Sequence, residues 1–311
     1  HSKESAATYR NNNQGYIQQT AASSAISAGG DLNLNAVNDI RLTASVLHSG
    51  QTLRIGEETV DPASLTATSP QCPVNVIVDT LALTNENWNE TEKGLKGPLK
   101  ELVKGLSLIL VPEFEIMTLG LSDLSEIEVN SFSKKRTTNV LQASSFLKAD
   151  DIAIGATDTV ALVNADVAAT NTATINAQDI MIGAIAETHT VVNDEGSETI
   201  RGLGMKLGKD EVRIAGVEMT KQSQMDTETL VEWNGTTINA GQLVLNAQHD
   251  LAVLGAAIDV SGDAVLSAGN ELVIGGNEGG LTREHKDVTD VTTVSASIRN
   301  AYLDAALAVK A

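Results

Sequence analysis

The chain has 311 residues, of which 21 are Lys or Arg and 40 are Asp or Glu, giving a formal net charge of −19. So acidic a surface argues against nucleic acid, whose phosphates demand a basic face, and against simple electrostatic docking on an anionic leaflet. Aromatic residues are only 3% of the chain, which disfavours a polysaccharide enzyme that stacks sugars on Trp and Tyr, and one cysteine (Cys72) supplies neither a disulfide framework nor a metal site.

Residues 1–56 begin polar and Asn/Gln-rich and then carry the first clear pattern. It runs from Ser27 to Leu42: a Gly pair, Leu-x-Leu, a small-residue turn with Asp39, and a second alternating strand. The pattern returns at Lys148–Leu162, without the glycines, and at Asn239–Leu254. Repetition of this kind marks a solenoid, in which each unit buries its apolar side only against its neighbours. Within a unit the strands are offset by eight residues, as from Leu32 to Ile40, Ile152 to Val160 and Leu243 to Leu251. The same strand position returns after 21 residues, as from Leu32 to Leu53, Leu245 to Leu266 and Leu251 to Leu272. Short strands of period two put one side chain in and the next out, so Leu32 and Leu34 point inward while Asn33 and Asn35 face water. A coil of about 20 residues built from such strands, stacked at about 4.8 Å, is a parallel β-helix. Gly, Asn and Asp at its corners are expected to supply turn conformations closed to β-branched residues.

Residues 57–145 interrupt the coils. A Pro-marked loop from Asp61 to Pro73 precedes a strand-like run from Val74 to Leu83. Pro98 fits a first helical turn, and Leu99, Leu102, Val103, Leu106 and Ile109 recur on one face of an amphipathic helix. The apolar segment within 99–121 carries Pro112, Glu113 and Glu115, so it falls short of the roughly 20 residues that span a bilayer. Packing against the solenoid is its expected role, with interfacial membrane contact as the alternative. Residues 146–186 restore coils. Residues 187–236 read as projecting hairpins rich in Thr, Glu, Lys and Gln, with Asn193-Asp194-Glu195-Gly196 as a turn and both faces wet. Residues 237–276 give the clearest coils, and 277–311 leave through a Gly-rich turn and a Val288–Val294 run before entering an Ala-rich helix. Because residue 1 is His and the last residues end in mid-helix, the chain reads as an internal piece of something longer.

No residue is assigned to catalysis, to a cofactor or to a metal. The histidines His1, His48, His189, His249 and His285 are scattered and form no ligand spacing. His249-Asp250 sits at a corner like Asn38-Asp39, where an Asp bonding its own backbone is the expectation. Asp150, Asp151, Asp158 and Asp179 fall at corners too, as turn residues rather than a catalytic carboxylate cluster. Gly275–Gly280 lacks the Lys-Ser/Thr of a phosphate loop, and no Gly-Gly-x-Gly-x-Asp calcium nonapeptide occurs. Asn89-Glu90-Thr91 and Asn234-Gly235-Thr236 match the glycosylation sequon, a triplet common by chance.

The units AGGDLNLNAVNDIRLTAS and AGQLVLNAQHDLAVLGAAIDVSGDAVLSAGNELVIG resemble the haemagglutinin repeats of filamentous haemagglutinin and of the effector proteins of contact-dependent growth inhibition. Lys209–Glu218, the Leu83–Asn89 stretch and the exit segment Ser297–Lys310 look like the same family. The resemblance implies an all-β, right-handed parallel β-helix solenoid, here with projecting β-hairpins and a short helical insertion. It also implies a non-catalytic stalk, secreted to the bacterial cell surface through an outer-membrane secretion partner and directed at a target-cell surface or host-cell receptor. The expected role is to present or deliver a C-terminal toxin to neighbouring cells. An adhesin filament for host-cell or biofilm attachment is the alternative, and a carbohydrate-active β-helix enzyme the third reading.

Overall fold

In a computed structural model, which describes residues 8–56, 73–95, 127–203, 206–207 and 211–299, every regular element is a strand. The chain enters along β1 (Thr8–Ile17) and forms coil one from β2 (Ala25–Ala28), β3 (Leu32–Leu34) and β4 (Asp39–Thr43). Coil two is β5 (Val46–Ser49), β6 (Thr52–Ile55) and β7 (Asn75–Asp79), and the chain departs along β8 (Leu81–Leu95). It returns on β9 (Ile127–Ala143) into coil three, β10 (Ser145–Gly155) and β11 (Thr159–Val163). Coil four is β12 (Ala165–Ala177) and the start of β13 (Asp179–Leu203), which runs straight outward. After the two-residue β14 (Lys206–Leu207), β15 (Glu211–Gly235) leads back to coil five, β16 (Thr237–Ala247) and β17 (Asp250–Leu254). Coil six is β18 (Ala257–Val260), β19 (Ala264–Ala268) and β20 (Glu271–Gly275), and β21 (Gly280–Arg299) leads away.

Two faces of the solenoid are parallel sheets. Their registers confirm the repeat read from sequence, for Leu32 pairs with Leu53, Leu245 with Leu266 and Leu251 with Leu272. Inward positions stack into apolar ladders six residues tall, one of them Leu34, Ile55, Ile154, Ile175, Leu245 and Leu266. The buried cluster contains only Leu, Ile, Val and Ala. That composition suits a core too narrow for rings, and each fully buried Leu or Ile contributes about 1.5–3 kcal/mol. Outward Asn33 and Asn35 are exposed, as the period-two reading requires.

The third set of strands is antiparallel, in the order β1, β8, β9, β13, β15, β21. Each coil contributes one strand to it, alternately inbound and outbound. β13 belongs to both layers, since Asp179–Gly183 pairs with β11 in the solenoid and Ala184–Leu203 pairs with β15 in the arm. Two local expectations change accordingly. Asn193–Gly196 is not a turn but mid-strand, with Asn193 opposite Asp226 and Gly196 opposite Ser223. The Val74–Leu83 run divides, Asn75–Asp79 pairing with β4 and β11 to close coil two, and Leu81 opening the outbound arm. The amphipathic helix at 98–109, the 99–121 segment, Cys72 and the final helix lie outside the described residues.

Short turns join coil one to two, three to four and five to six, and each places one residue in the left-handed region: Ala44 (φ 46°), Asn164 (φ 49°) and Gly255 (φ 66°). Beside the first two, a buried hydroxyl from the residue that follows an inbound arm ties the junction together. Ser145 Oγ accepts from Ser45 N (3.0 Å) and donates to Asp79 O (3.0 Å). Thr236 Oγ1 accepts from Ala165 N (3.3 Å) and donates towards Gly183 O (2.8 Å). One side chain thus satisfies both the turn and the carbonyl at which the outbound strand departs. Gly56 (φ 81°) and Gly255 supply the turn conformation expected of corner glycines, whereas Gly241 and Gly262 serve a different purpose. A Cβ on Gly241 would lie 2.4 Å from Asn171 O, and one on Gly262 2.7 Å from Gly241 O, so these positions need space for the coil below rather than a positive φ.

Removing either hydroxyl takes the acceptor from one buried N–H, Ser45 N or Ala165 N, while Asp79 O and Gly183 O keep backbone donors. Ser145→Ala and Thr236→Val are each expected to lower stability by about 1–3 kcal/mol, read as a lower urea midpoint. Ala44→Gly removes left-handed strain and is expected to raise stability by up to about 1 kcal/mol, read as a higher urea midpoint.

Candidate functional site

The arms depart from the solenoid with polar residues on both faces along most of their described length, Leu95 on β8 and Val129 on β9 being the buried apolar exceptions. What holds them is the backbone ladder together with cross-strand pairs. Registry sets whole rows of like chemistry across the strands. On one face Thr138, Thr190, Thr229 and Thr282 stand side by side on β9, β13, β15 and β21. On the other, Gln14, Asn89, Lys135, Asn193, Asp226 and His285 form a row across all six strands. A shallow hollow of about 500 Å³ lies over the middle of the sheet, lined by Ser131, Ser133, Ser197, Glu195, Gln222 and Gln224 among others. Its chemistry is that of hydrogen-bond donors and acceptors; Ser133 Oγ, for instance, donates to Glu195 (3.1 Å).

The few aromatic residues are concentrated here. Of the six that are described, Tyr9, Tyr16, Trp88, Phe132 and Trp233 lie on the arms and only Phe146 on a coil. Three of them cover a glycine on the neighbouring strand. A Cβ on Gly15 would meet the Trp88 ring at 2.4 Å, on Gly94 the Tyr9 ring at 2.8 Å, and on Gly196 the Phe132 ring at 2.6 Å. Laying a ring over a glycine restores the contact that the missing side chain would have made. Lys134 Nζ sits 5.3 Å from the centre of the Phe132 ring on its other flank. Trp233 Nε1 donates to Glu278 O (2.9 Å), and its ring is 41% exposed. Counting aromatic residues in the sequence missed this, because the signal is placement rather than number. The glycine partners are distant in sequence and become neighbours only through the arm registers.

Ion pairs pin the outer strands. Arg283 Nε donates to Glu228 (2.9 Å) and Arg201 pairs with Glu218 (2.6 Å). His285 bridges two carboxylates, Nδ1 to Asp226 (2.5 Å) and Nε2 to Asp287 (2.7 Å). Those hydrogen bonds, Asp226 first, raise the His285 pKa above its ordinary value, and the same bond to His285 lowers that of Asp226. Tyr9 donates to Glu92 (2.8 Å), and this bond raises the Tyr9 pKa.

Four of the corner carboxylates reach up one coil rather than to their own backbone. Asp31 accepts from Thr52 N (3.1 Å), Asp151 from Thr172 N (3.2 Å), Asp179 from Asp250 N (3.1 Å) and Asp250 from Glu271 N (3.2 Å). For Asp31 the Thr52 N–H, followed by Arg54, holds the carboxyl below its usual range. His249 turns to Gln178 (3.3 Å) rather than to Asp250. Asp150 and Asp158 take part in the corners through their backbone, Asp150 N donating to Gln51 O and Asp158 O accepting from Asp179 N. Asn89 and Asn234 are exposed on β8 and β15, and the 275–280 glycines link β20 to β21. Among the described residues, no group of three or more His, Cys, Asp or Glu is placed to hold a metal ion.

Two outcomes are expected. In an NMR titration the His285 imidazole titrates above an ordinary histidine, and Asp226→Asn brings it down. Because its folded pKa is raised, the stabilising effect is full below the unfolded value and is lost as pH rises through the folded one. Gly196→Val drives its side chain into Phe132 and is expected to cost about 1–3 kcal/mol, seen as a lower urea midpoint.

A family model described as hemagglutinin repeat matches residues 127–289, just over half of the chain. The match opens at β9 and closes within β21, so it takes in coils three to six together with the arms that join them. No curated protein and no solved structure matches the chain. The coils, their 21-residue register and the matched span agree, and the chain belongs to the hemagglutinin-repeat family, of filamentous-haemagglutinin type.

Proposed function

We propose that this chain is a non-catalytic stalk segment of a secreted bacterial surface exoprotein, exported through an outer-membrane partner, that presents or delivers a C-terminal toxin to neighbouring cells. The observation that supports it most is the division of labour between layers: a dry aliphatic solenoid that sets length, and polar arms that leave it between coils. A stalk of this kind needs little beyond stiffness and a soluble exterior, and a net charge of −19 favours solubility. Scarce cysteine fits export, because a chain that crosses the periplasm unfolded gains nothing from crosslinks.

The second reading, an adhesin, is favoured by the exposed aromatic residues on the arms, Tyr16 at 75% and Trp233 at 41%. A competition assay separates the two. Cells expressing the whole protein are mixed with siblings that lack any protective gene, and the region beyond residue 311 is then deleted. Toxin delivery predicts that siblings die and that the deletion ends the killing while the stalk still reaches the surface. Adhesion predicts no killing in either case, with attachment lost on Tyr16→Ala and Trp233→Ala. Retention inside cells that lack the outer-membrane partner is expected on both readings, and release without that partner rejects both.

A further inference from the structure

The outer edge of the arm sheet is unlike its inner edge. β1, at the inner edge, is ten residues long and runs Arg-Asn-Asn-Asn-Gln through its middle. β21 runs for 20 residues, has no proline, and among the described residues pairs only with β15. All of Gly280–Thr293 is exposed, including Leu281, Val288 and Val291. A long strand with one unpaired edge is a template for another strand.

Its charges indicate which strand. In a chain of net charge −19, β21 carries Arg283, Lys286 and Arg299 against Glu284, Asp287 and Asp290, and is neutral. Five consecutive residues, Arg283-Glu284-His285-Lys286-Asp287, invert in sign about their centre. Two copies of this strand related by a two-fold axis are necessarily antiparallel, and an axis normal to the sheet keeps each side chain on its own face. Only registers centred on a residue are then allowed. Centring on His285 sets Arg283 opposite Asp287 of the second copy and Glu284 opposite its Lys286, each twice over. Centring on Glu284, Lys286 or Asp287 sets like charges face to face. Centring on Val288 sets Lys286 opposite Asp290 but leaves Arg283 and Glu284 opposite threonines, so it offers one kind of ion pair where His285 offers two.

We propose that the free edge of β21 pairs with β21 of a second copy of this chain, antiparallel about a two-fold axis at His285, joining two six-stranded arm sheets into one. The pairing is independent of the stalk reading above, since it needs neither a toxin nor a receptor. Sedimentation equilibrium of the whole chain at neutral pH tests it. The expected result is a reversible dimer whose dissociation constant rises about tenfold or more in Glu284→Lys and in Lys286→Glu, because each change sets two like-charge pairs opposite one another. Mixing the two variants in equal amounts restores the dimer, as does combining them in one chain, since opposite charges again face each other. That recovery also shows that neither single variant has lost its fold. A chain that stays monomeric up to its solubility limit overturns the proposal, as does a dimer indifferent to both variants or one that mixing fails to restore.

Discussion

Neighbouring hydrogen-bonded strands lie about 4.8 Å apart whether they run parallel or antiparallel, and both layers of this protein must keep that one spacing. The arms stay in step with the coils only if every coil adds a single strand to the arm sheet, as observed. A chain that leaves after one coil has to come back before the next, so departures and returns alternate with short turns. Val46 therefore pairs with Phe146 across a whole arm, whereas Ser145 reaches its neighbour Ala165 within a single coil. The tight turns fall where no arm intervenes, and there the backbone is forced into the left-handed region at Ala44, Asn164 and Gly255. Ser145 and Thr236 follow from the same constraint. They mark the points where a returning strand rejoins the stack beside a departing one, and three backbone segments share one hydroxyl.

The layers differ in what stabilises them. Coils bury aliphatic ladders, and each coil leans only on the coils above and below it. Corner carboxylates complement the ladders by capping the next coil, which links coil to coil outside the core. Among the described residues the arms bury only Leu95 and Val129, and they depend on cross-strand pairs, each worth about 0.2–1 kcal/mol. Local opening should thus concentrate in the arms and spare the coils, placing the adaptable surface on a stiff support.

The solenoid is legible in the amino-acid sequence because its evidence is local. Alternation in Leu32–Leu34 and Leu243–Leu245, the offset of eight and the return after 21 all lie within a few dozen residues. The arms were harder for the opposite reason. With polar residues on both faces they show apolar alternation only in short runs such as Val212, Ile214, Val217 and Met219, and Asn193-Asp194-Glu195-Gly196 has the chemistry of a turn although cross-strand registry carries the strand through it. Gly196 is explained by Phe132, and Gly15 by Trp88, partners that only the folded sheet brings together. Asp250 and Asp151 were rightly placed at corners, but their acceptor role is directed at the next coil, a neighbour that local turn chemistry does not consider.

The shared spacing also determines how the exposed face is organised. Since each coil adds one strand, the arm sheet widens in step with the height of the stalk, and a residue type retained at one arm position becomes a row across the sheet. Thr138, Thr190, Thr229 and Thr282 form such a row, at intervals of about 4.8 Å set by the backbone rather than by the side chains. Any weak contact made by one position of the row is offered again on the next strand, and contacts held at a fixed separation reinforce one another without any single one being strong. Substitutions in the arms leave the coil ladders untouched, because among the described residues those ladders are built from coil residues alone. The surface can therefore vary independently of the stalk that carries it, while its periodicity stays fixed by that stalk.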